Sequence, residues 1–273
     1  MYYGRMTILI LFLLYAVALW VALAGRGLRS GKATRSETRD GTPAETRGEP
    51  PAEPGTGPAG MSPSRILIVG ATGGTGRQLV AQALERGHSV TALVRDPSKL
   101  QLEHPRLRVL RGDVLDYASV EAAVSGQDAV ISALGHKRYF YPTRILSEGT
   151  RNILRAMEAH GVHRLVSQTS LGIGDSAGRM GLYYTLLVVP FVVPFYFWDK
   201  TRQERLIAAS QVDWVIVRPG KLTNAEARRQ YRHGVKIGNY VWTVRISRAD
   251  VADFMLSQVT DDTYLRSAPG VSW

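Results

Sequence analysis

From Arg65 onward, short apolar runs alternate with segments of helical period. Ile66, Leu67, Ile68 and Val69 form an unbroken aliphatic run that ends at a glycine, which predicts a buried strand. Gly74 to Gly87 follows with Leu79, Ala83 and Leu84 on one helical face. The alternation then repeats. Strands are predicted over Ser89–Val94, Leu107–Leu110, Asp128–Ala133, Arg164–Gln168 and Asp213–Arg218. Helices are predicted over Tyr117–Val124, Arg144–His160 and Lys200–Ser210, the second with Ile145, Ile153, Leu154 and Met157 as apolar positions. Ser247 reads as the N-cap of a last helix running through Val259, with Asp250 in its first turn. Strands separated by helices imply right-handed crossovers, and hence an α/β fold: a doubly wound parallel sheet covered on both faces.

Two further apolar stretches break this rhythm. Thr7 to Ala24 is uncharged and about long enough to span a bilayer as a helix. Trp20 lies near its end, Arg5 precedes it, and Arg26, Arg29, Lys32 and Arg35 follow, an asymmetry that keeps the C-terminal side in the cytoplasm. A transmembrane anchor over residues 1–24 is therefore expected. Ala22-Leu23-Ala24 also resembles a signal-peptide cleavage site, but the basic cluster after the apolar run argues for the anchor. Met61 stands just before the first strand, and a chain starting there would be cytoplasmic. Residues 25–63 are rich in Gly, Pro, Thr, Glu and Arg and poor in large apolar side chains, the composition of a disordered linker. Residues 64–273 remain as a single domain. The second stretch, Gly181 to Trp198, is also uncharged. Pro190 and Pro194 interrupt it, and a full span there would carry half the sheet across the bilayer. Two readings stay open for it: the wall of a substrate pocket, or shallow insertion into a membrane surface.

The chemistry concentrates at the end of the first strand, in VGATGGTG. Strand, glycine turn and helix is the setting in which such spacing denotes dinucleotide binding, and with it a Rossmann-type sheet. Gly70 lets the chain leave the strand, Gly73 admits a pyrophosphate to the backbone, and Gly76 lets helix and sheet pack closely; Gly74 is an additional glycine. Dinucleotide sites that prefer the unphosphorylated ribose carry an acidic residue at the end of the second strand. Arg95 stands there, which fits a 2′-phosphate and points to NADP(H), with Ser98 and Lys99 as further partners. The competing reading leaves Arg95 in solvent and gives the ribose to Asp96. Asp113 and Val114, after the third strand, suit the adenine, unless Asp113 caps the next helix.

Composition narrows the picture. The absence of cysteine excludes disulfides and thiolate metal sites, and the six histidines show no metal-ligand spacing. Residues 1–63 carry seven Lys/Arg against five Asp/Glu, so +9 of the net +11 falls on residues 64–273. That excess suits anionic cofactors or anionic lipid. No basic run with interleaved aromatics is present, and no nucleic-acid partner is expected.

Taken together, VGATGGTG, LVRDPSK, GDVLD, SGQDAVISALG and SEGTRNILRAMEAHGVHRLV resemble the atypical short-chain dehydrogenases. Within them the chain is similar to the NAD(P)H-binding group that includes NADPH-dependent flavin reductase (biliverdin-IXβ reductase). The likeness is close over Arg65–Gln168 and looser from Asp199, where RPGKLT and ISRADVADFML recur. It implies that Gly70, Thr72, Gly73, Gly74, Thr75 and Gly76 form the pyrophosphate turn. It implies Arg95, Ser98 and Lys99 at the 2′-phosphate, Asp113 and Val114 at the adenine, and Leu134 and Gly135 along the nicotinamide side. Ser170 matches the group's active-site serine. Lys221 stands on the cofactor side where the flavin-reductase pattern has a histidine.

Tyr196 and Lys200 lie at i and i+4, a spacing that puts an acid and a cation on one helical face. Ser170, Tyr196 and Lys200 are the candidate catalytic set, although tyrosines are common in this region and the pairing also arises by coincidence. The expected function is a membrane-anchored, NADPH-dependent oxidoreductase passing hydride to a small or lipophilic acceptor: a flavin, a quinone or a carbonyl compound. The alternative is a non-catalytic NADP(H)-binding sensor or assembly protein. An epimerase is disfavoured, because no sugar-nucleotide site is evident.

Overall fold

The computed structural model describes residues 64–136 and 141–273. The expected anchor over 1–24 and linker over 25–63 lie outside the described residues. The chain runs β1 (Arg65–Val69), α1 (Gly74–Glu85), β2 (Ser89–Val94), β3 (Leu107–Arg111), α2 (Tyr117–Val124), β4 (Ala129–Ser132), α3 (Ile145–His160) and β5 (Arg164–Gln168). It continues through a wide π-type helix (Tyr184–Val192), α4 (Pro194–Ala208), β6 (Asp213–Pro219), β7 (Lys221–Thr223), β8 (Arg232–Gly234), β9 (Arg245–Ser247), α5 (Arg248–Ser257) and β10 (Gly270–Ser272).

The main sheet has eight strands in the order β3-β2-β1-β4-β5-β6-β10-β8. Every pairing is parallel except β10 with β8. This is the doubly wound order, and it reverses direction between β1 and β4. Ligands of such sheets bind beyond the carboxyl ends of the strands at that reversal. β7 and β9 form a separate parallel pair.

Alternation along the strands divides the core. Ile66 and Ile68 of β1 join Ala92, Ile131 and Val215 under α1 and α5. Leu67 and Val69 join Leu93, Val130 and Ile216 under α2, α3 and α4. The unbroken aliphatic run of β1 thus reflects burial on both faces.

The structure differs from the sequence reading in its later half. The helix expected to open at Lys200 begins at Pro194, so Lys200 lies inside α4. A proline at the first helical position costs nothing, because its missing N–H would be unpaired there anyway. Strands β7 to β10 were not anticipated: each is three residues long, too short for a period to show. The last helix starts after Ser247 as expected; the Ser247 hydroxyl accepts the Asp250 amide at 3.0 Å. Among the described residues no helix is long and apolar enough to cross a membrane, and Gly181–Trp198 is split between the π-type helix and the start of α4.

Candidate functional site

The site is built on the turn from β1 into α1. Gly70 has φ +85°, and a Cβ there would fall 2.6 Å from the Ala133 carbonyl oxygen, so the exits of β1 and β4 pass in contact only because this residue is glycine. Gly76 is packed from behind: a Cβ would collide with the Gly70 carbonyl oxygen and lie 2.8 Å from the Ala71 Cα. Gly73, by contrast, faces open space apart from the Gly70 oxygen at 3.2 Å. It is the N-cap of α1, makes no side-chain cap, and is followed by a first turn without an acidic residue. The first-turn N–H groups and the positive end of the helix are thereby offered to an anion.

A cleft of about 520 Å³ crosses this turn. On the β2–β3 side it is lined by Arg95, Asp113 and Val114; on the β4–β5 side by Leu134, Gly135, His136, Gln168 and Tyr196; Gly70 and Thr72 to Thr75 lie between. These are groups suited to an adenine nucleotide at one end and a reacting ring at the other. Asp113 faces the cleft, and Asp116 rather than Asp113 caps α2, accepting the Ala118 and Ser119 amides. Val114 is seated by α3, whose Asn152 amide donates to the Val114 carbonyl at 2.9 Å.

Ser98 and Lys99 turn elsewhere. The Ser98 hydroxyl donates to Asp96 at 2.6 Å and the Lys99 ammonium pairs with Asp96 at 3.3 Å. Those partners, Ser98 foremost, hold the Asp96 carboxyl below the usual range. Arg95 is thus the cation after β2 that lines the cleft, while Asp96 is engaged by its own loop.

A second cavity of about 310 Å³ shares Gln168, Tyr196 and Leu222 with the first. Met180, Val188, Val193 and Phe197 supply apolar walls; Ser170, Tyr184 and Lys221 supply polar groups. Ser170 and Lys221 therefore belong to this outer pocket rather than to the nucleotide cleft. The Ser170 hydroxyl donates to the Leu171 carbonyl at 3.0 Å. Tyr196 stands at the junction: its hydroxyl lies 3.6 Å from where a Cβ of Gly135 would be, and its ring meets His136 edge-on at 4.9 Å.

Lys200 does not reach into either cavity. Its ammonium donates to the Gln168 carbonyl at 2.9 Å and the Leu134 carbonyl at 3.3 Å, tying the ends of β5 and β4 together. Burial lowers its pKa to about 8, against the opposing pull of Glu204 and Asp199. It lies 5.6 Å from the centre of the Tyr196 ring, so the i,i+4 pair shares a face with the lysine set beneath the cavity floor. Beside it, Asp199 accepts the Leu146 and Ser147 amides and fixes the start of α3.

A buried ion-pair network braces the outer pocket. Arg218 donates to both Glu204 oxygens, at 3.0 and 2.7 Å, and to Asp175; Thr169 donates to Glu204 at 2.6 Å. These pairs make Arg218 a structural residue. Sequence reasoning missed several cleft residues, among them Gln168, Leu222, His136 and Arg248. His136, one of the six histidines without metal-ligand spacing, lines the cleft and hydrogen-bonds Thr143 at 3.0 Å. Arg248 comes from the far end of the chain; its place directly after the N-cap Ser247 was the available signal.

A doubly wound sheet with a glycine turn at its reversal point, crossed by a cleft with an arginine after β2, defines a dinucleotide-binding protein. The chain belongs to the NAD(P)H-binding family, whose sequence model matches residues 70–262. It is 32% identical to an uncharacterised chloroplast protein of Arabidopsis thaliana over 187 residues, 63% of this chain and 64% of that one. It is 33% identical to a 3-diazoavenalumate denitrifying reductase of a Streptomyces species over 176 residues, 58% of this chain and 56% of that one. The chain thus matches somewhat under two thirds of the length of these relatives. Its structure superposes on that of the anaerobilin reductase ChuY of Escherichia coli O157:H7 with a TM-score of 0.64, at 24% identity, over 77% of this chain and 97% of that one. At that identity the likeness is one of fold.

Proposed function

We propose that this protein is an NADPH-dependent oxidoreductase that reduces a small lipophilic acceptor, a quinone, flavin or carbonyl compound, held in the outer pocket. The observation that carries the reading is the junction of the two cavities at Gln168, Tyr196 and Leu222. One cavity suits a dinucleotide; the other is walled by Met180, Val188, Val193 and Phe197 and suits an apolar ring system. When bound, the cofactor supplies a hydride. The protein's own part is orientation and proton supply. With a carbonyl or quinone acceptor, the Tyr196 phenol at the junction donates a proton to the acceptor oxygen and recovers it from solvent; with a flavin the proton comes from water. Lys221 and Ser170 hold the acceptor's polar edge. Lys200 acts from beneath, keeping the Leu134 and Gln168 carbonyls in place. Arg95 selects the phosphorylated nucleotide by pairing with the 2′-phosphate.

The test is full-length protein mixed with NADPH and a panel of quinones, flavins and aldehydes, followed at 340 nm. NADPH oxidation with at least one acceptor class is expected. With a carbonyl acceptor, Tyr196→Phe is expected to lower turnover by about 10²- to 10⁴-fold while NADPH affinity is unchanged. Tight NADPH binding without oxidation across the panel would point instead to a sensor or assembly protein.

The same reading includes work at a membrane surface, with residues 1–24 as a single-pass anchor and the folded domain on the cytoplasmic side. Support comes from the segment that also supplies apolar walls to the outer pocket. Leu182, Tyr183, Leu187, Val192, Phe195 and Trp198 are all exposed. They are joined by Trp242, 75% exposed, on a turn held to the same segment by the Leu182 amide, which donates to the Val241 carbonyl at 3.2 Å. Gly181, at φ +89°, abuts the Trp242 backbone so closely that a Cβ would sit 2.7 Å from its carbonyl carbon. Exposed apolar side chains gathered on one segment favour a contact surface there. Residues 61–273, which contain every described element, are expected to float with vesicles of anionic phospholipid. Leu187→Glu with Trp242→Glu should abolish flotation while leaving NADPH affinity intact. Failure of the unsubstituted domain to bind vesicles would remove the surface contact from the account.

A further inference from the structure

We infer that Arg248 is a diphosphate clamp, and that Gly74 is glycine so that the arginine can lie across the start of α1. The inference rests on the nucleotide reading of the cleft and adds to it a residue from the far end of the chain.

Three of the four glycines in the turn have a use already. Gly70 and Gly76 permit backbone contacts, and Gly73 leaves the approach to the helix N-terminus open. Gly74 is different, because what a Cβ there would meet is a side chain: Arg248 Cδ at 2.5 Å and Nε at 2.6 Å. The stem of Arg248 therefore runs directly over the first residue of α1. Its own backbone is fixed, since it opens α5 immediately after the buried cap Ser247. The helices α1 and α5 lie on the same face of the sheet, packed through one core cluster.

The charge balance at this spot needs an anion. The N-terminus of α1 carries the positive end of the helix dipole, and no acidic residue in the first turn offsets it. Arg248 brings a full positive charge to the same place. Its side-chain partner is the neutral Asn224, which accepts from Nη1 at 2.6 Å; among the described residues no carboxylate forms an ion pair with it. Two positive groups facing one cleft repel each other when it is empty and both attract a diphosphate placed between them. Arg95 sits elsewhere, beyond β2, on the ribose side of the same cleft. The two arginines thus divide the nucleotide: Arg95 takes the phosphate found only in NADPH, and Arg248 takes the diphosphate common to NADPH and NADH.

That division sets the experiment. Full-length wild type, Arg248→Gln, Arg95→Gln, Gly74→Ala and the Gly74→Ala/Arg248→Gln double variant are titrated calorimetrically with NADPH and with NADH. Arg248→Gln should weaken both nucleotides by the same factor, about 10- to 100-fold, the range for losing one charge-assisted contact. The NADPH-to-NADH ratio should not change. Arg95→Gln should weaken NADPH alone and collapse that ratio. Gly74→Ala should keep the wild-type melting temperature, because its methyl meets a movable side chain rather than backbone. It should bind as weakly as Arg248→Gln, and the double variant should be no weaker than either. The clamp is overturned if Arg248→Gln binds both nucleotides within twofold of wild type, if its loss is confined to NADPH, or if the two substitutions multiply. A wild type that binds neither nucleotide would overturn the cleft reading and the clamp together; a wild type that binds while Arg248→Gln is unaffected overturns the clamp alone.

Discussion

Gly76→Ala is expected to cost about 3 kcal/mol or more, a fall in melting temperature of roughly 6–12 °C, and to weaken NADPH at least about tenfold. The added methyl would collide with the Gly70 carbonyl oxygen and lie 2.8 Å from the Ala71 Cα. Neither is the end of a flexible side chain, so relief requires α1 to move off β1. That movement would open the core around Leu79 and Ala83, both fully buried, and displace the helix N-terminus from the cleft. Gly73→Ala is the control. Its methyl meets only the Gly70 oxygen, at 3.2 Å, and projects toward the open cleft. It should melt within about 2 °C of wild type, since less than about 1 kcal/mol is at stake, yet lose NADPH affinity. Differential scanning calorimetry with a parallel nucleotide titration separates the two. Equal behaviour of the two variants would contradict the separate duties assigned to these glycines.

Glu204→Ala is expected to destabilise the fold by about 3–5 kcal/mol, because it strands a buried guanidinium. Arg218 has a side chain only 6% exposed and spends two donors on Glu204; Thr169 spends its hydroxyl there as well. Asp175 would be the one ion-pair partner left, and it is 66% exposed. The melting temperature should fall by roughly 6–20 °C. Asp175→Asn should cost under about 1 kcal/mol, as exposed pairs do. Thr169 lines the outer pocket, so turnover of the proposed acceptor should fall as well. A Glu204→Ala transition within 2 °C of wild type would show that the network is not what braces this end of β5, α4 and β6.

The first half of the sheet was legible in the sequence because its strands are buried on both faces and its helices on one. Such segments show either an unbroken aliphatic run, as in Ile66–Val69, or an i, i+3, i+4 stripe, as in α1 and α3. The region after Pro219 was not legible. β7 to β10 draw their order from pairing partners distant in sequence, such as Gly270 with Arg218 and Ser272 with Arg232, and three residues carry no period of their own. The cleft was partly legible for a related reason. Gly70 to Gly76 announce themselves by spacing along the chain, and Arg95 by its place after β2. Arg248 reaches the cleft through the packing of α5 beside α1, which its place after Ser247 only hints at, and His136 by following Gly135 at the exit of β4. Lys200 shows the limit of spacing arguments: i and i+4 do put it on the face of Tyr196, but its ammonium is held by the Leu134 and Gln168 carbonyls. Only the packing of α4 against the strand ends decides that.

The central claim is that the cleft at the β1–β4 reversal takes a phosphorylated dinucleotide, chosen by Arg95. The direct measurement is a calorimetric titration of the full-length protein with NADPH and with NADH at one ionic strength. NADPH should bind at least about tenfold more tightly, the margin that a guanidinium pairing with the 2′-phosphate provides. Heat from neither nucleotide, or tighter binding of NADH, would contradict it.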